Sequence, residues 1–380
     1  MNCLYSSQCG GCPYRNLSDA EYRKLKQNNL STVLNHLHKP VTNLNQPIFI
    51  DDGQRRRAAL TFEYLKGKLS FGFNETSSHK IVNIEQCLSL TPEINRILSP
   101  IKNLLIELCS ITYQTKQGKK LLTQHLQKGD VLICEADNGL DIVLEYNAPI
   151  DINTRMIIAD FCQNCPQVIR ISHRTGPDSF CETLLQKAIP FVTMGKFSVH
   201  IPAGNFLQAS RKSEQVIADL VIQYLGETSG KIADLFCGVG TFSYYITSAM
   251  LQSKILAVDS GAELLQGFKD SLNSNQIHNI EIKKQNLFKY PLTADEISSF
   301  HKIVFDPPRA GAKEQCQQIA SATIKPEVVV AVSCNPNTFV NDANILIDAG
   351  YTIQNLTLVD QFAYSPHSEL VAQFCLTDNK

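Results

Sequence analysis

Apolar and polar residues alternate with two different rhythms along the chain, and the rhythm changes near Ser213. Residues from about Ser18 to His38 repeat at helical intervals, with Ser18 or Asp19 placed to cap the first turn. Between Ile48 and Asn83 the period shortens toward two. The runs A-L-T-F-E-Y and L-S-F-G-F flank Lys66-Gly67 and read as strands joined by a turn. Pro92 to Leu108 returns to a helical pattern. Leu121 to Thr193 mixes one helix with short strands, among them V-L-I-C-E and D-I-V-L-E-Y.

After Ser213, continuous apolar runs alternate with helical segments: K-I-A-D-L-F, K-I-L-A-V-D, I-E-I-K-K-Q, K-I-V-F-D and V-V-V-A-V-S. Strands that are apolar on both faces and separated by helices predict a parallel sheet covered on each side. The last run, L-V-A-Q-F-C-L, follows its predecessor too closely for a helical crossover and is expected to be antiparallel.

Composition narrows the class. The 380 residues are 43% hydrophobic and 19% charged, and no run of about 18 apolar residues suggests a membrane span. The first residues lack the basic-then-apolar order of a secretory signal, so a cytoplasmic location is expected. With a net charge of −1, a nucleic-acid partner would need a local basic patch. Arg55-Arg56-Arg57, Lys66 with Lys68, and Lys116 with Lys119 and Lys120 are the candidates; each reads equally well as a solvated face. Thirteen cysteines in a cytosolic chain point to metal ligands, catalytic thiols or small buried residues, not to structural disulfides.

Residues Asp234 to Phe242, D-L-F-C-G-V-G-T-F, follow a strand and precede a helix. Gly238 and Gly240 permit a tight turn and close approach of a ligand to the backbone. The third glycine of a dinucleotide fingerprint is missing. The next strand ends in Asp259, a carboxylate able to accept from both hydroxyls of a ribose, and Asn286 follows the third, placed for an adenine edge. The set resembles class I S-adenosylmethionine methyltransferases.

Two further strands end in V-F-D-P-P-R-A-G (Val304 to Gly311) and V-S-C-N-P (Val332 to Pro336). In a doubly wound sheet, ligands bind beyond the carboxyl ends of the strands, so Asp306 and Cys334 should share one crevice with Asp234 and Asp259. The antiparallel last strand begins at that edge, with Glu369. A thiol and two carboxylates together suit methylation at carbon 5 of uracil. Cys334 would add to carbon 6, Glu369 would remove the carbon-5 proton, and Asp306 would hold an imide or cofactor edge. Cys237 and Cys375 read as buried filler.

These motifs resemble the RNA uridine-5-methyltransferase family over nearly the whole chain. The resemblance implies that Cys334 is the nucleophile, Glu369 the base, and Gln208 (in Phe206-Leu207-Gln208), Phe236, Thr241, Asp259, Asn286 and Asp306 the cofactor contacts. Ser210, Thr241 and the Phe362-Ala363-Tyr364-Ser365 stretch depart from the family's usual residues.

Cys3, Cys9 and Cys12 form C-x5-C-x2-C before Pro13, a spacing that lets two thiolates reach one metal centre. The resemblance supplies Cys87 as the remote fourth ligand and implies a [4Fe–4S] cluster; zinc on the same four thiolates is the rival. Cys162 and Cys165 form a second C-x2-C, read as structural. The family's cluster-bearing members act on 23S rRNA, and its tRNA enzyme lacks the cluster, which makes 23S rRNA the expected partner. The chain begins at the cysteine cluster, as does the form acting on U747; the R-R-R-A and L-x-F-G-F stretches and the x5 spacing resemble the form acting on U1939. No obligatory protein partner is evident.

The expected architecture is α/β. Residues 201–380 should form a Rossmann-like methyltransferase domain on which a helix in 16–45 packs, and 1–15 with 46–200 a smaller α/β domain carrying the cluster and holding RNA. The competing readings are a tRNA uridine-5-methyltransferase, an amino-methyltransferase, and a non-catalytic RNA-binding assembly factor. Arg309, where an aromatic ring would follow the D-P-P of an amino-methyltransferase, speaks against the second. The presence of Cys334 and Glu369 speaks against the third.

Overall fold

The structure, a computed structural model, describes residues 3–117, 120–204, 207–227 and 230–377, without the side chains of 114–123. The chain forms two compact units. The first comprises Met1–Asn16, Asp51–Val192 and Ile201–Ser210; the second comprises Leu17–Ile50, Thr193–His200 and Arg211–Lys380.

The first unit is built on a seven-stranded sheet. Its order is Glu182–Gln186, Val168–Arg174, Gly139–Glu145, Lys128–Ala136, Arg57–Leu65, Lys68–Asn74 and Ile81–Asn83. All neighbours are antiparallel except the pair Gly139–Glu145 and Val168–Arg174. Lys66 and Gly67, both at positive φ (51° and 78°), make the two-residue turn between the third and second strands from the far edge. The helix Pro92–Ser110 carries apolar residues at Ile94, Ile97, Leu98, Ile101, Leu104, Leu105 and Leu108, all buried. That spacing puts them on one face, and each contributes about 1.5–3 kcal/mol by leaving water. Phe62 and Phe71, cross-strand partners in the hairpin, lie in the same core.

Arg55-Arg56-Arg57 does not form the open basic patch that its charge suggests. Arg56 is buried, and its Nε donates to the Gln208 carbonyl at 3.1 Å; Arg57 Nη1 donates to the Leu207 carbonyl at 2.8 Å. These guanidiniums lace 207–208 onto the Arg57–Leu65 strand, and burial pushes the pKa values of Arg55 and Arg57 down. Lys66 and Lys68 are exposed at the hairpin tip. Lys119 and Phe206 lie outside the described residues, as do the side chains of Lys116 and Lys120.

In the second unit the sheet order is Asn43–Leu44, Tyr351–Asp360, Glu369–Leu376, Val328–Ser333, Lys302–Phe305, Lys231–Leu235, Lys254–Asp259, Ile280–Lys284. A ninth strand, Ile48–Phe49, pairs with the end of Tyr351–Asp360. Every pairing is parallel except the two made by Glu369–Leu376, as its short connection requires. The parallel strands bury residues on both faces. Val304 and Val330 point to one core, Ile303 and Val329 to the other.

The helix Asp19–Leu34 opens with a capping box: Ser18 accepts from the Glu21 amide, and the Glu21 carboxylate accepts from the Ser18 amide. The division between the units differs from the sequence expectation. Residues 46–50 fall in the second unit, whose sheet Ile48–Phe49 extends; Thr193–His200 falls there too; and Ile201–Ser210 counts with the first, where Arg56 and Arg57 hold it.

Candidate active site

The strand Lys231–Leu235 leads into a turn that is costly to form. Phe236 is at φ 60°, a conformation that disfavours a side chain by roughly 1–2 kcal/mol, and Gly238 and Gly240 follow at 57° and 88°. A side chain at Gly240 would collide with the Phe268 ring, whose nearest atom lies 2.2 Å from the added carbon. The helix Thr241–Ala249 then starts at Gly240 with no side-chain cap, so its first amides are presented by the backbone alone. The Phe236 ring packs on Phe288, centroids 5.3 Å apart.

Asp234 is fully buried. Its Oδ2 accepts from the Ser243 amide (2.9 Å) and hydroxyl (2.6 Å), whereas its Oδ1 has no partner. Burial, then the charges of Asp306 and Asp259, push its carboxyl up to about 7 against the pull of Ser243. Asp259 closes the loop from the next strand: Oδ2 accepts from the Gly238 amide at 3.0 Å and Oδ1 from the Gly261 amide at 2.8 Å. Each of its oxygens keeps a second lone pair. Asn286 turns its Oδ1 onto the amides of Phe288 and Lys289 at 3.1 and 3.2 Å. Ser260, Lys284, Asn286, Lys289 and Tyr290 line a groove of about 850 Å³ at this end of the sheet.

Two strands away, the register brings the chemical residues together. In the antiparallel pairing of Val328–Ser333 with Glu369–Leu376, Ser333 faces Leu370. Cys334 follows Ser333 just past the end of its strand and Glu369 precedes Leu370 at the start of its own, so the two stand at the same edge of the sheet, close enough for the Glu369 charge to act on the thiol. Cys334 is partly exposed and Glu369 is buried. Burial pushes the Cys334 thiol up to about 11, with the Glu369 and Asp306 charges adding to the rise and Arg309 opposing it. The Glu369 carboxyl is pushed up to about 8 by burial and by Asp306, while a hydrogen bond from Gln361 and the Arg309 charge pull it back. Asp306 acts on Asp234, Cys334 and Glu369 alike, which ties the glycine turn and the thiol into one electrostatic site.

Arg309 lies over His367, with Nη2 at 3.2 and 3.1 Å from the two ring nitrogens. Its carbonyl accepts from Asn335 Nδ2 and Thr338 Oγ1, which fixes the D-P-P-R turn to the segment after Cys334. Gln361 was not found from the sequence. The available signal was its place just beyond a strand end at the same sheet edge. Cys237 is fully buried and its thiol is pushed well above its ordinary range, as a structural residue should be. Gln208 belongs to the first unit, nearly buried beneath the arginines described above.

Cys3, Cys9, Cys12 and Cys87 are all in the first unit and half-buried. Cys9 feels the charges of Cys12 and Cys3, and Cys87 those of Cys12 and Cys9. Arg15 Nη2 donates to Cys12 Sγ at 3.6 Å, and Gly11 N donates to Cys9 Sγ at 3.4 Å. Among the described residues, no three His, Cys, Asp or Glu side chains converge as ligands of a single ion. A tetrahedral zinc would need that convergence, with each sulfur about 2.3 Å from one point.

The strand order, the reversed last strand and the glycine turn define an α/β fold of the S-adenosylmethionine-dependent methyltransferase type. A sequence profile of the tRNA (uracil-5-)-methyltransferase family matches residues 185–373. An uncharacterized RNA methyltransferase of Agrobacterium fabrum is 31% identical over 96% of this chain and 81% of its own length. The chain belongs to the RNA uracil-5-methyltransferase family. A 23S rRNA (uracil(1939)-C(5))-methyltransferase of Aliivibrio salmonicida is 26% identical over 98% of this chain and 81% of that protein. Among solved structures, the tRNA (uracil-54, C5)-methyltransferase of Pyrococcus abyssi, in complex with S-adenosyl-L-homocysteine, shares the fold with a TM-score of 0.70. It is 21% identical and covers 96% of this chain and 85% of its own.

Proposed function

We propose that this chain methylates carbon 5 of a uridine in 23S rRNA through a transient bond between Cys334 and carbon 6 of the ring. The observation that carries the reading is that Cys334 and Glu369 lie at adjoining strand ends on one sheet edge, where the Asp306 charge acts on both. The thiolate of Cys334 adds to C6, and the ring electrons move to C5 and the C4 carbonyl. S-adenosylmethionine supplies an electrophilic methyl group when bound. Glu369 then takes the C5 proton, the C6–S bond breaks, and its electron pair returns to sulfur.

The residues present fit that cofactor. The unpartnered Oδ1 of buried Asp234 suits its α-ammonium group, and the N-terminus of the helix Thr241–Ala249 suits its carboxylate. The spare lone pairs of Asp259 suit the ribose diol. Asn286 would offer its Nδ2 to the adenine, the packed rings of Phe236 and Phe288 would supply an apolar wall, and Asp306 would add a further contact. The choice of 23S rRNA leans on the Aliivibrio relative; the likeness to the Pyrococcus enzyme keeps a tRNA uridine as the second reading. No described helix is long and apolar enough to cross a membrane, and we place the enzyme in the cytoplasm.

The test is incubation with cofactor and 5-fluorouridine-substituted RNA. Fluorine at C5 cannot leave as a cation, so the Cys334 adduct should persist through denaturing electrophoresis with 23S fragments and not with tRNA. An adduct with tRNA alone would transfer the reading to tRNA, and none with either RNA would remove it.

Cys3, Cys9, Cys12 and Cys87 are proposed to hold a [4Fe–4S] cluster that shapes the first unit for RNA. Cys9 feels the charges of Cys12 and Cys3, Cys87 those of Cys12 and Cys9, and Arg15 and Arg55 would offset the thiolate charge. Anaerobically purified protein should contain about four irons and four sulfides per chain. Stoichiometric zinc without sulfide would overturn this assignment.

A further inference from the structure

We propose that Gln361, aimed by Ser213, is a positioning residue that favours the ionised form of the Glu369 carboxyl and fixes its orientation, and so controls release of the covalent intermediate. This deepens the reading of Glu369 as the base and rests on it.

The geometry is a short chain of donors. Ser213 Oγ donates to Gln361 Oε1 at 2.9 Å, and Gln361 Nε2 donates to Glu369 Oε1 at 2.7 Å. A glutamine amide is nearly symmetrical in shape, and only its partners decide which end points where. The Ser213 hydroxyl claims the oxygen, so the N–H end faces the carboxylate. A donor in that place stabilises the ionised form of Glu369 and occupies one of its two oxygens. Oε2 is then the end presented to a C5 proton. All three side chains are buried, so water does not substitute for the amide.

The chain is held at both ends. Ser213 sits in the first turn of the helix Arg211–Leu225. Gln361 immediately follows Asp360, whose carboxylate accepts from Tyr22 OH at 2.6 Å and pairs with Lys26 at 2.9 Å. The other titratable or charged groups around Glu369 are Asp306 and Arg309 from one strand end, Cys334 from the next, His367 on its own segment and Glu214 beside Ser213. Asp306 favours the protonated acid and Arg309 the ionised one; Gln361 is the neutral donor that adds to Arg309.

The step affected is the last. Once the C6–S bond exists, the thiol no longer titrates, and the pH dependence of release reports the base. Gln361→Met keeps the volume and removes the donor. In single-turnover reactions on natural-uridine RNA, adduct formation should proceed as in the parent, while release slows about tenfold and its acid limb moves up by about one pH unit, the effect of one lost charge-assisted hydrogen bond. Denatured gels should show the methylated protein–RNA adduct accumulating. Ser213→Ala, which frees the amide without deleting it, should move the same observables less.

Glu369→Gln run in parallel separates the two claims. If it traps the adduct while Gln361→Met and Ser213→Ala release it at the parent rate and with the parent pH limb, the positioning role falls and the base assignment stands. If Glu369→Gln itself releases product normally, the base assignment falls and takes the inference with it.

Discussion

Cys334→Ala should lose methyl transfer by at least about 10⁴-fold while still binding cofactor, because no other group present can make C5 nucleophilic. The thiol's environment adds a pH signature. Burial beside two carboxylates pushes it up to about 11, so at pH 7 about one thiol in ten thousand is ionised in the free protein. Alkylation of Cys334 should therefore rise close to tenfold per pH unit through neutrality, with no plateau below about pH 10. Arg309 is the cation that opposes the carboxylates, and Arg309→Met should slow alkylation at every pH below the plateau. Adduct formation should follow the same dependence before saturation. Product formation by Cys334→Ala within about tenfold of the parent would remove the thiol from the mechanism.

The same numbers explain the polarity of the site. Glu369 and Cys334 are both pushed up, chiefly by leaving water; Asp306 raises each further, and Glu369 adds to the rise of the thiol. The resting site thus favours a neutral thiol, whose proton must depart before attack.

What the sequence disclosed follows from how local each signal is. The Ser18–Glu21 capping box, the Lys66-Gly67 hairpin turn and the face of Pro92–Ser110 are all settled within a few residues, and each formed where the pattern put it. The reversed last strand was legible because connection length limits topology. Cys334 and Glu369 were legible for a related reason: both stand at strand ends on the edge where an α/β sheet binds ligands.

Charge was read less well. Three consecutive arginines looked like a surface for phosphate, yet Arg56 is buried and spends its guanidinium on a backbone carbonyl about 150 residues away in sequence. Nothing within the R-R-R-A run distinguishes a solvated cation from one that satisfies a distant carbonyl. Gln361 was missed on the same account, since its partners Ser213 and Glu369 come from separate elements. Tyr364, in the stretch that departs from the family's residues, adopts φ 60° and stacks on Tyr22 with ring centroids 4.7 Å apart. The departure thus has a local partner on the N-terminal helix.

Lys26→Met should destabilise the second unit by about 3–5 kcal/mol at neutral pH, the cost of leaving one member of a buried ion pair uncompensated. Lys26 and Asp360 are 2% and 1% exposed, with Nζ and Oδ1 2.9 Å apart, and Nζ also donates to the His367 carbonyl and to Ser368 Oγ. Burial pushes the Lys26 ammonium down and the Asp360 carboxyl up, each against the pull of its partner. Desolvation therefore outweighs attraction for both, and the pair is retained for what it fixes: the helix Asp19–Leu34 against the segment between Gln361 and Glu369. A carboxyl raised above its unfolded value loses stability as pH rises through the interval between the two, and without Lys26 that interval widens. The deficit of Lys26→Met should accordingly shrink as pH falls and Asp360 takes up a proton. Lys26→Met with Asp360→Asn should recover most of the loss at pH 7, because no charge then remains buried. Equilibrium denaturant unfolding of the parent and the two variants at pH 5 and pH 7 measures both effects. A single variant within about 1 kcal/mol of the parent at neutral pH would mean that water reaches Asp360 and that the pair does not anchor the helix.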